Sequence, residues 1–132
     1  MREKKIALVV ADGSEKVAKL ALAIVKTLKN FNVVMKEASA FAGTDLLPAD
    51  AFFLGCEKPS PPSFGYLEEM LQHINLADRT CGVFSPSPGE AVQYLNKILK
   101  NSEVILYPES LTESNIKNIK KWTAKVTAGR TG

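Results

Sequence analysis

The run Val9-Val-Ala-Asp-Gly-Ser-Glu-Lys-Val-Ala-Lys19 passes from β-branched apolar residues, through a glycine turn, into a polar segment of helix-forming residues. Upstream, Lys5-Ile-Ala-Leu-Val-Val10 is almost continuously apolar, as expected of a parallel strand buried on both faces. Downstream the period changes: Val17, Leu20, Ala21, Ile24, Val25 and Leu28 recur at helical spacing, and Asn30 ends the pattern. A strand that enters a helix through such a turn presents amide donors where the helix dipole favours an anion. Whether Ala11-Asp-Gly-Ser14 is long enough to hold a phosphate is therefore the first functional question.

The same alternation continues to the end of the chain. Asn32 to Glu37 reads as a second strand, Asp45 to Pro48 as loop, and Ala49 to Cys56 as a third strand. Glu57-Lys-Pro-Ser-Pro-Pro62 is a loop, because each proline removes a backbone donor. Phe64, Leu67, Met70, Leu71 and Ile74 then lie at helical spacing, and Thr80 to Phe84 is the fourth strand. Ser87-Pro-Gly-Glu90 has the form of a capping box, opening a helix that carries Ala91, Val92, Leu95, Ile98 and Leu99 on one side. Glu103 to Tyr107 reads as a fifth strand. Thr112 caps a last helix bearing Ile116, Ile119, Trp122 and Val126. Strands alternating with helices predict a parallel sheet covered on both faces. Residues 1–127 form one domain on this reading, and 128–132 a loose tail.

Composition narrows the class. A chain of 132 residues, 45% hydrophobic and 23% charged, suits a single globular domain. Its apolar runs fall far short of the ~20 residues that span a bilayer, and the N-terminus leads straight into a strand, so neither a membrane nor a secretory leader is expected and the location is expected to be cytoplasmic. The two cysteines make no disulfide framework and no metal-ligand spacing, so Cys56 and Cys81 are expected to be free thiols and no metal is expected. Net charge is +3, with Lys117, Lys120, Lys121 and Lys125 crowded together. Without interleaved aromatics these lysines read as the solvated face of a helix, and no nucleic-acid partner is expected.

Over Lys5 to about Val126 the chain resembles flavodoxins. The likeness rests on Glu15-Lys16-Val17-Ala18 at the start of the first helix, Ala51 to Gly55 ending in Leu-Gly, Phe84 with Gly89-Glu90-Ala91-Val92, and Leu111-Thr-Glu-Ser-Asn with Lys121-Trp122. The resemblance implies an α/β, doubly wound, five-stranded parallel sheet in order 2-1-3-4-5 with helices on both faces. It also implies a ligand beyond the carboxyl ends of strands 1 and 3, the placement of which flavodoxin is itself a standard example. In that family the ligand is FMN, its phosphate wrapped by a first loop of the form Thr-x-Thr-Gly-x-Thr and its ring bracketed by aromatics from the loops after strands 3 and 4.

The residues of this chain that would form such an edge are Asp12, Gly13 and Ser14 after strand 1, Gly55, Cys56, Glu57 and Lys58 after strand 3, and Ser85, Pro86 and Ser87 after strand 4. Aligned on Glu15 to Ala18, the first loop is several residues shorter than the family's. Ser14 reads as an ordinary N-cap first and as a phosphate ligand second, while the Asp12 carboxylate opposes an anion. Neither later loop holds an aromatic, and Phe64 reads as core.

Other chemistries of this architecture lack their residues. A receiver domain's acidic pair is represented by Asp12 alone. Six positions after Cys56, where a phosphatase would need Arg, stands Pro62. No phosphate-cradling glycine motif is present. His73, the single histidine, has no nucleophile to serve, and Cys56 reads as an inert thiol first and as an enzyme nucleophile last. The expectation is a flavodoxin-like domain that has lost tight FMN binding and works as an interaction or regulatory module for a protein partner, or as a binder of a small anion. The alternative is an FMN-binding electron carrier with atypical short loops.

Overall fold

A computed structural model describes residues 5–40, 48–86 and 89–128. Five strands, β1 (Lys5–Ala11), β2 (Phe31–Glu37), β3 (Ala51–Gly55), β4 (Thr80–Phe84) and β5 (Ile105–Leu106), form one sheet in the order β2-β1-β3-β4-β5. Every pairing is parallel. Among the described residues α1 (Glu15–Thr27), α2 (Gly65–Leu71) and α3 (Glu90–Leu99) connect strands, and α4 (Ile119–Ala128) follows β5, preceded by a 3-10 segment over Glu113–Asn118. Among the described residues no helix is long and apolar enough to cross a membrane.

Side-chain alternation along the strands divides the core between the two faces of the sheet. Leu8, Val10, Phe52 and Leu54 point to one face, where Phe64, Leu67, Leu71, Leu95 and Leu99 cover them from the α2 and α3 side. Ala7, Val9, Ala51 and Phe53 point to the other, under Val17, Leu20, Ile24, Trp122 and Val126 of α1 and α4. Continuous burial along β3 and β4 explains why these strands read as unbroken apolar runs. Gly82 lets α4 approach closely: a Cβ there would lie 2.7 Å from Val126 and 2.8 Å from the Trp122 ring.

Two local expectations change. The capping box at Ser87 lies partly outside the described residues, and α3 opens at Glu90, with Gly89 as its cap at φ +125° and no side-chain cap bond. β5 keeps only Ile105 and Leu106 of the expected five residues, because Glu103 turns into the left-handed region at φ +66°. The last helix runs to Ala128, and 129–132 lie outside the described residues.

Candidate ligand edge

The sheet order reverses between β1 and β3, and their carboxyl ends open onto one edge, the usual ligand position in open α/β sheets. Gly13 makes the turn out of β1 with φ +96°, a conformation costly for any residue with a Cβ. Ser14 then caps α1, its Oγ accepting from the Val17 N–H at 3.2 Å. Its primary reading from sequence therefore describes what it does here.

Asp12 holds the edge together. One carboxylate oxygen accepts from the Ser14 N–H at 3.0 Å, and the other accepts from the Glu57 N–H at 2.9 Å across 45 residues of chain. The Asp12 carbonyl also accepts from the Ser63 hydroxyl at 3.2 Å. The first and second candidate loops are thus tied through one residue, by its side chain and its carbonyl. Glu37, at the end of β2, adds a second carboxylate beside the turn, 3.7 Å from where a Cβ on Gly13 would sit.

Asp12, Glu57, Lys58, Pro59, Pro61 and Ser63 line an open groove of about 560 Å³ at this edge, within the ~300–1,000 Å³ range of small-molecule sites. The prolines read from the sequence only as loop, and neither they nor Ser63 and Glu37 stood among the expected site residues. Only the neighbourhood of Asp12 to the post-β3 loop brings them in, and that follows from strand order rather than from any local motif.

Gly55 and Cys56 lie beneath the groove, fully buried. A Cβ on Gly55 would collide with the Phe84 ring. Burial, and after it the Asp12 charge, push the Cys56 thiol up to about 12, so it is protonated at neutral pH and lacks the thiolate that nucleophilic chemistry needs. Cys81 is free as well and lies back along the sheet, in register with Phe52 while Gly55 pairs with Phe84.

Ser85 and Pro86 are not brought into the groove. Both are buried; the Ser85 N–H donates to the Leu111 carbonyl at 2.9 Å and the Pro86 carbonyl accepts from the Glu113 N–H at 3.2 Å. The Ser85 hydroxyl is buried with no partner among the described residues. Ser87 lies outside the described residues. Among the described residues no aromatic lines the groove: Phe64 is core, and the Tyr94 hydroxyl donates to Glu68 at 2.6 Å. His73 is exposed on the far side of α2 in sequence and joins none of these residues.

Three backbone donors that a phosphate at the first turn could use already have partners. The Ser14 and Glu57 amides are occupied by the Asp12 carboxylate and the Val17 amide by Ser14, and the Glu37 carboxylate stands beside Gly13. The open groove and its proline faces impose no such conflict on an uncharged ring.

No protein-family model and no curated relative matches the sequence. Solved structures do. A short-chain flavodoxin associated with a bacterial microcompartment superposes with a TM-score of 0.82 at 17% identity, covering 96% of this chain and 98% of that one. Flavodoxin 2 from Bacillus cereus gives 0.79 at 22% identity, covering 94% and 97%. A Fusobacterium nucleatum flavodoxin mutant bound to flavin mononucleotide gives 0.76 at 12% identity, covering 97% and 98%. With the strand order and both helical layers in agreement over nearly the whole length of each, the chain has the flavodoxin-like fold.

Proposed function

We propose that this chain is a flavodoxin-fold module whose carboxyl edge takes a flavin-class ring reversibly and does not keep FMN as a resident group. The observation that carries this reading is the Asp12 carboxylate, which accepts from both the Ser14 and the Glu57 N–H at the point where the fold would seat a phosphate. Charge-assisted bonds to a phosphate contribute ~1.5–3 kcal/mol each, so losing two weakens binding by roughly a hundredfold or more. The groove of about 560 Å³ supports ring entry, and the lack of a stacking aromatic among the described residues that line it favours weak binding.

A second reading, an electron-carrying flavodoxin that holds FMN through short loops, is favoured by the structural neighbours, one of which is bound to flavin mononucleotide. An absorbance spectrum of freshly purified protein, followed by an FMN fluorescence titration, separates the two. The expected result is a colourless preparation that quenches FMN only at high protein concentration. Stoichiometric flavin that survives dialysis establishes the electron-carrier reading. No quenching at any accessible concentration removes the flavin and leaves the edge as a protein-interaction surface.

A further inference from the structure

We infer that Asp12 is a specificity-determining residue, a built-in anion that occupies the phosphate position and sets the edge to accept an uncharged heteroaromatic ring while excluding its phosphate ester. This deepens the proposed function and rests on it for the ring. The place of the anion follows from geometry alone.

A carboxylate near a turn is commonplace, and its bond to the amide two residues on, here Ser14, is an ordinary local turn. The bond to Glu57 is not local. Its 2.9 Å contact spans two separate loops and takes an amide from the loop after β3. One side chain therefore does what a bound anion would do, joining the opening of α1 to the second ligand loop through backbone donors. Tethered covalently, it competes with any free phosphate at a high effective concentration. The surrounding charge reinforces the exclusion. Glu15 opens α1, Glu37 faces Gly13, and Glu57 itself carries a carboxylate, against Lys16 and Lys58 as the nearby cations of the same loops.

The test compares riboflavin and FMN, the same ring without and with a phosphate, by fluorescence titration of the wild-type protein and of Asp12→Asn, which keeps the shape and removes the charge. Wild type is expected to bind riboflavin at least as tightly as FMN. Asp12→Asn is expected to bind FMN at least tenfold more tightly than wild type while riboflavin changes little. Inorganic phosphate, exchanged for chloride at constant ionic strength, supplies a readout independent of the ring: it should raise the melting temperature of Asp12→Asn relative to its effect on wild type. Should neither flavin bind while phosphate still stabilises the variant more than wild type, the proposed ring site fails and the role of Asp12 holds. Tenfold tighter FMN than riboflavin on wild type, equal shifts of both flavins in the variant, or phosphate acting alike on both proteins overturns the inference. If Asp12→Asn does not fold, Asp12→Gly, which frees both amides outright, carries the same comparison.

Discussion

Gly55 stands directly opposite Phe84 in the β3–β4 ladder, and the ring lies where a side chain on residue 55 would be. The contact involves the body of a fully buried ring, not the free end of a flexible chain, so nothing nearby can yield cheaply. Gly55→Ala should destabilise the fold by about 1–3 kcal/mol, read as a lower urea midpoint with unchanged slope. Phe84→Leu introduced into Gly55→Ala should restore part of the loss, giving a double-mutant coupling well away from zero. The thiols make a second residue-scale prediction. Cys56 has its pKa raised from the ordinary 9.0 to about 12, and burial pushes Cys81 up as well. A group raised in the folded state retains its proton when the unfolded chain has already lost it. Its contribution to stability is therefore complete below pH 9 and disappears as the pH climbs toward 12. Melting temperature should fall above pH 9, and Cys56→Ala should flatten that fall. Both thiols should also resist a thiol reagent at neutral pH and react once the protein is denatured.

At the scale of elements, the segment before α4 shows how a few polar atoms set a boundary. The Thr112 hydroxyl accepts from the Ser114 N–H at 3.2 Å, while the Asn115 side chain accepts from the Thr112 N–H at 2.7 Å. Asn115 itself departs from helical geometry, so a 3-10 segment precedes the α-helix proper. Thr112→Ala should cost about 1 kcal/mol by loss of the cap, measured as a shift in urea midpoint. Thr112 was legible as a cap because a hydroxyl stands directly before a periodic apolar run. β4 was legible over Thr80 to Phe84 because it is buried throughout and bounded by polar residues. The opening of α3 was not: Ser-Pro-Gly-Glu has the form of a cap, yet Gly89 accommodates a φ of +125° and starts the helix two residues after the expected N1 proline. Asp12 was legible as an obstacle to anions but not as a tether. Its partner amide is 45 residues away, and only the placement of β1 beside β3 brings the two together.

For the whole molecule, the net charge is +3, and three of its lysines meet around one groove away from the ligand edge. Lys26, Lys29 and Lys120 line a groove of about 380 Å³ between the end of α1 and the last helix, where the Thr27 and Thr123 hydroxyls meet at 2.9 Å. Lys117, Lys121 and Lys125 are exposed on the same final segment of chain, as expected of a solvated face. Like charges around one groove repel, and the repulsion is screened over a Debye length of about 10 Å at 0.1 M salt. Removing a member should therefore stabilise the fold rather than weaken it. Lys120→Glu, which turns one repulsion into an attraction to Lys26 and Lys29, should gain roughly 0.2–1 kcal/mol at low salt, the scale of an exposed ion pair. Raising the salt concentration should stabilise wild type and erase most of the difference between the two proteins. A gain in melting temperature for Lys120→Glu that persists undiminished at high salt would show that residue 120 acts through packing along the α1–α4 seam, and would remove the electrostatic account of that groove.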